Sequence, residues 1–226
     1  NASPPSVPTL FTSEEDSLPL HPASTDIFGT FSGGGHIIAS QASTSYNGFA
    51  SDGTTVNGTL SSIGSVVENQ LGAGGHFAGK STRVIADKPI FAESQADYDG
   101  GEMTPFITKQ AFGNEFIIPN NEQEWVKLVS DVPANYEVFN SSGTSQGTGT
   151  LAGVEITTAG VEGGIYQAYL GSSSSGSSLT AQGNMIITDQ PVGAWYEADG
   201  DDETWLAGKR RNNNSIVRVN PGVVTD

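Results

Sequence analysis

The chain has 226 residues, enough for one large domain or two small ones, each with a real core. It contains no cysteine, which excludes disulfide frameworks, thiol nucleophiles and cysteine-ligated metal sites. Its formal charge of −16, from 25 acidic against 9 basic residues, leaves no basic stripe for nucleic acid and disfavours anionic membranes.

Residues 1–25, NASPPSVPTLFTSEEDSLPLHPAST, are proline-rich. Proline fixes φ and donates nothing to a ladder, so residues 1–26 are expected to form an extended arm or linker. No later run is apolar enough to span a membrane and no signal peptide is visible, so no membrane insertion is expected. Charged residues make up only 15% of the chain, and Gly, Ser and Thr are abundant. That composition favours short strands and tight turns over helices. WVKLVSD (125–131), YEVFN (136–140), GIYQAYLG (164–171), NMIITD (184–189) and VGAWYEAD (192–199) read as strands, being β-branched or aromatic and bounded by turn residues. In the last, Val192, Ala194, Tyr196 and Ala198 share one face and Trp195 lies on the other. The end, GKRRNNNSIVRVNPGVVTD, gathers Lys209, Arg210, Arg211 and Arg218, a patch too small to bind nucleic acid alone. Lacking an initial Met and ending on PGVVTD, the chain reads as a piece of something longer.

An internal duplication organises these strands. ADKPIFAESQADYDGGE (86–102) aligns without a gap on the stretch that begins TDQPVGAWYEADGDDE (188–203), matching Asp87 with Asp189 and Pro89 with Pro191. YNGFASDGT (46–54) matches YEVFNSSGT (136–144), pairing Tyr46 with Tyr136, Phe49 with Phe139 and Gly53 with Gly143. GTL recurs at 58–60 and 149–151, and GGHF (74–77) matches GGIY (163–166). The second copy carries an added GSSSSGSS loop at 171–178. The expected fold is therefore all-β: two tandem β-sandwich-like repeats behind a proline-rich arm. Repeat 1 is placed at 27–116 and repeat 2 at 117–211, with 212–226 a linker to a further module or a tail. Asp87-Lys88-Pro89 and Asp189-Gln190-Pro191 are expected to be turns between strands.

Candidate chemistry is sparse. Asp97 and Asp99, with Asp199 and Asp201 in the second copy, form D-x-D turns that supply part of a calcium donor set. Neither copy completes an EF-hand spacing, so a solvated turn is the competing and favoured reading. Calcium is the one cofactor that the residues suggest. GTSQG (143–147) fits G-x-S-x-G, but it lies in a Gly/Ser/Thr-rich hairpin and the first copy has lost the Ser. His36 and His76 lack partners for metal binding, and an apolar Ile165 replaces His76 in the second copy. Glycosylation sequons at Asn1, Asn57, Asn140 and Asn213 are what a Ser/Thr-rich chain shows by chance. Trp195 and Trp205 suggest a platform for a surface glycan, set against the simpler reading that they fill a core or an interface.

The repeated phrase, VIADKPI at 84–90 and IITDQPV at 186–192, each ahead of an acidic turn, resembles repeats in virion structural proteins of tailed phages, marine cyanophage-like ones in particular. It is similar, more faintly, to repeats in IgGFc-binding-type extracellular proteins. The resemblance covers roughly residues 27–211 and transfers no catalytic residues. It implies a capsid-decoration, fibre or tail-associated role with protein partners in the particle. The expected function is accordingly a non-enzymatic structural subunit of a virion or extracellular surface assembly. Its partners would be other structural proteins or copies of itself, and not nucleic acid. The alternative is an extracellular carbohydrate-binding or adhesion module, dependent on calcium if the acidic turns bind it.

Overall fold

The computed structural model describes residues 22–31, 34–68, 80–95, 103–118, 123–171, 184–198 and 202–210. Two antiparallel sheets follow one another along the chain. The seven-stranded sheet contains β1 (Ser24–Phe31), β2 (Gly34–Ala39), β3 (Thr44–Ala50), β4 (Thr55–Leu60), β5 (Val66–Glu68), β6 (Lys80–Gln95) and β7 (Met103–Pro105). The eight-stranded sheet contains β8 (Gly113–Ile118), β9 (Gln123–Ser130), β10 (Asn135–Phe139), β11 (Ser145–Thr150), β12 (Ala152–Glu155), β13 (Gly164–Leu170), β14 (Asn184–Ala198) and β15 (Asp202–Leu206). A short 3-10 turn at Lys109–Ala111 lies between them and is the only helical element among the described residues.

The duplication is a duplication of topology. Strand β6 pairs with β1, β2, β3 and β7, while β14 pairs with β8, β9, β10 and β15. Outside these, β4 lies on β3 as β11 lies on β10, and β5 lies on β2 as β13 lies on β9. Strand β12 extends the second sheet beyond β13 and has no described counterpart in the first.

The phrases expected to be turns lie inside the two longest strands. In β14, pairing with β10 stops at Thr188 and pairing with β9 starts at Gly193. In β6, pairing with β3 stops at Ala86 and pairing with β2 starts at Ile90. Each long strand thus exchanges β3 for β2, or β10 for β9, and the Asp-x-Pro phrase occupies the gap, which β1 and β8 span with a register shift. A proline is tolerated there because the ladder does not ask for its missing N–H. The expectation of two strands and a turn is corrected to one strand with a corner, since the local residues are the same in both cases.

Each corner folds its sheet over one core. Ile27 of β1, Tyr46 and Ala50 of β3, and Val84 and Ala86 before the corner meet Ile37 and Ala39 of β2, and Ile90 and Ala92 beyond it. In the second unit Phe116, Ile118, Val138 and Ile186 likewise meet Val126, Leu128, Val192, Ala194 and Tyr196. Two β-sandwich-like units result, each closed by hydrophobic burial between its two halves. The expected border at 116/117 falls within β8, which pairs with β14; residues 113–116 therefore belong to the second unit. At the other end of the first unit, β1 already begins at Ser24. Residues 1–21 of the expected arm and the tail at 212–226 lie outside the described residues.

Candidate functional site

The residues that recur between the copies can be assigned jobs. Tyr46 is directly opposite Gly58, and Tyr136 is opposite Gly149. A Cβ added at Gly58 or Gly149 would stand 2.7 or 2.4 Å from the facing tyrosine oxygen, so each ring lies over a bare glycine. Burial pushes both phenol pKa values up. Gly53 and Gly143 have φ of 90° and 77°, left-handed values that close the β3–β4 and β10–β11 hairpins where a side chain would be strained. Asp87 accepts the backbone N–H of Ser45 at 2.8 Å, and Asp189 accepts that of Asn135 at 2.7 Å. Those two amides sit at equivalent points near the starts of β3 and β10. Asp189 also accepts Nδ2 of Asn135 at 2.6 Å. Its partial burial pushes the carboxyl up, but the backbone and side-chain N–H groups of Asn135 and nearby backbone N–H groups outweigh this and hold it below the usual range. The repeated aspartate thus ties the corner to a neighbouring strand.

The two units meet along a seam with its own apolar core. Phe28, Phe49, Ile107 and Phe112 pack with Trp125, Val129, Ile156, Ile165, Trp195 and Trp205. Phe28 and Phe112 contact edge to face, with ring centroids 5.1 Å apart. Alternation makes this possible: β1, β3 and β6 send one set of side chains inward and the other, including Phe28, Phe49 and Ile85, toward the second unit. The outward set of β9, β13, β14 and β15 receives them.

Two buried cations are set into the seam. The Arg83 guanidinium donates Nε to Asp26 Oδ1 at 2.9 Å and Nη2 to Oδ2 at 2.8 Å. Its Nη1 donates across the seam to the carbonyls of Glu162 at 2.8 Å and Gly164 at 3.3 Å. The group also stacks on Phe28, 5.0 Å from the ring centre. Lys127 reaches in the opposite direction, donating Nζ to Thr30 Oγ1 at 2.9 Å, and lies 4.4 Å from the Trp125 ring centre. Ser81 N–H donates to Gln167 Oε1 at 2.8 Å. These polar groups are satisfied, so they fix the register of the contact without the penalty of a bare buried charge.

Comparison with protein-family models, curated proteins and solved structures found no match to this chain.

The expected site residues fare unequally. Trp195 and Trp205 face one another across β14 and β15 and are only 0% and 6% exposed. A sugar platform needs an open aromatic face, which neither ring offers; both side chains pack in the seam. Asp97, Asp99, Asp199 and Asp201 lie outside the described residues, as does His76. Ser145 of GTSQG starts an exposed β-strand after a hairpin, without the strand-to-helix elbow that activates such a serine. His36 bonds Glu93 through Nδ1 at 3.0 Å, on the outer face of β2 and β6. Arg83 and Lys127, central to the seam, were not picked out by sequence reasoning. The available signal was a cation within the apolar strand phrases STRVIAD and WVKLVSD, where neither face of the strand reads as solvated.

Proposed function

We propose that the chain is a non-enzymatic structural subunit of a larger assembly, a virion or an extracellular surface object, acting through protein–protein contacts. One observation carries the reading: the residues repeated between the copies do scaffold work. Tyr46 and Tyr136 cover glycines, Gly53 and Gly143 close hairpins, and Asp87 and Asp189 hold corners. What the copies do not share, such as Arg83 against Met185 or Glu93 against Trp195, distinguishes their outer faces, which is where a unit meets its neighbours. The seam supports the same reading, because it shows two units of this design stacking through outer sheet faces. The resemblance of the Asp-x-Pro phrase to tailed-phage virion repeats supports the reading of that assembly as a particle.

The test is sedimentation of the native source, with the chain followed by mass spectrometry. The chain is expected in a large-particle fraction at defined stoichiometry. Recovery solely as a free single chain would overturn the proposal.

A further inference from the structure

The face by which the first unit stacks on the second can be read row by row. Arg83 of β6 is opposite Phe28 of β1 on one side and Phe49 of β3 on the other. The next outward row is Asp26, Ile85 and Asn47. The second unit covers this face: Phe28, Arg83 and Phe49 are all buried.

The same rows exist on the second unit. Met185 of β14 is opposite Ile117 of β8 and Phe139 of β10, and the next row is Glu115, Ile187 and Glu137. Phe28 corresponds to Ile117, Phe49 to Phe139, Arg83 to Met185 and Ile85 to Ile187. The inward residues between them, Phe116, Val138 and Ile186, belong to the second core, so these rows point outward. None of Ile117, Met185, Phe139 and Ile187 belongs to the seam cluster, and Glu115 pairs with Lys209 Nζ at 3.4 Å. Ile117 is 69% exposed, and Phe139, Met185 and Ile187 are half-buried. In the first copy the central position of this face is an arginine that needs Asp26; in the second it is Met185, so the exposed version is the more apolar one. An apolar row of this kind on open sheet surface marks a contact surface.

Resting on the reading of the chain as an assembly subunit, we infer that this face of β8, β14 and β10 docks a second copy of the chain, head to tail. The seam defines what such a face engages: the outer rows of the strands beyond the corner, where Gln167, Val129 and Gly193 form one row and Tyr169, Lys127 and Trp195 the next. Within one chain that surface of the second unit is already taken. Its equivalent on the first unit is the outer face of β5, β2 and β6, where Val66, Ile38 and Phe91 form a continuous apolar row. Val66 is 36% exposed and Phe91 half-buried, while Ile38 between them is only 4% exposed. The neighbouring row carries His36, with Nδ1 3.0 Å from Glu93 Oε1, and Glu68. Repeating the step from unit one to unit two between chains therefore joins an apolar row to an apolar row. The two faces differ, so the contact is heterologous and propagates rather than closing as a dimer.

The chain's lack of cysteine makes the test clean. An Ile117→Cys chain is mixed with a Val66→Cys chain and treated with a short bismaleimide, and products are mapped by mass spectrometry. Light scattering over a concentration series is run beside it on the unlabelled protein. The expected result is a 117-to-66 link between chains, a mass that rises past the dimer with concentration, and loss of that rise in an Ile117→Lys background of native circular dichroism. Links from 117 to 117, a mass that stops at the dimer or stays at one chain, or association indifferent to Ile117→Lys would overturn the inference. If these fail while the native chain still sediments with a particle, the structural role stands and only this contact falls. A 117-to-66 link from a chain found free in its source would retain the contact and remove the role.

Discussion

Replacing Arg83 by Met gives the first unit the residue that the second carries at the equivalent place, and removes the main polar tie across the seam. Four hydrogen bonds disappear: two to the Asp26 carboxylate and two to the Glu162 and Gly164 carbonyls. Methionine replaces much of the apolar stem, so packing loss is secondary. The cost comes from the partners left behind. Removing one member of a buried ion pair costs about 3–5 kcal/mol. The Asp26 side chain is 31% exposed against 4% for Arg83, so water rehydrates the orphaned carboxylate and the lower end applies, about 3 kcal/mol. In a chain of this size 1 kcal/mol moves Tm by about 2–4 °C, which predicts a fall of about 6–12 °C. All three tryptophans, Trp125, Trp195 and Trp205, lie in the seam cluster, so their fluorescence reports separation of the units directly. Urea and thermal unfolding of the wild type, Arg83→Met, Asp26→Ala and the double variant form the assay. The double variant is expected to lose little more than Arg83→Met, because the pair acts as a unit. An Arg83→Met loss under about 1 kcal/mol, or losses that simply add, would refute the reasoning.

Two further outcomes follow from the carboxylates. Asp189→Ala and Asp87→Ala should each cost about 1 kcal/mol and act locally, exposing the Asn135 amide to hydrogen exchange in one case and the Ser45 amide in the other; unchanged protection at those amides would show that the corners are held by something else. Asp52, paired with Lys80 at 2.7 Å and hydrogen-bonded by the Thr54 N–H, has its pKa lowered to about 2. A depressed carboxylate stabilises the fold above its ordinary pKa and loses that contribution as pH falls toward its folded value, here through the interval from 3.8 down to about 2. The pair is well exposed and screened, so the stability term is small, and the direct check is NMR titration of the Asp52 carboxyl, with Lys80→Met expected to move the midpoint back up.

The strand-rich fold, the duplication and the alternation of Val192, Ala194 and Tyr196 against Trp195 were legible in the sequence. Backbone preference and side-chain period are local properties, and repetition doubles their signal. Turn glycines such as Gly53 and Gly143 were legible for the same reason, since a left-handed φ is required within a few residues. The jobs of Asp87 and Asp189 were not. An Asp-x-Pro phrase suits a turn and a sheet-switching corner equally, and only pairing with distant strands decides which forms. The tryptophans show the limit most plainly. Period two placed Trp195 opposite the inward residues, but whether that second face meets water, a ligand or another domain depends on how two whole units stack. Burial is a property of surfaces assembled from residues far apart in the chain, so the seam, its Arg83 and Lys127, and the open Ile117–Met185–Phe139 row emerged only once the sheets were in place.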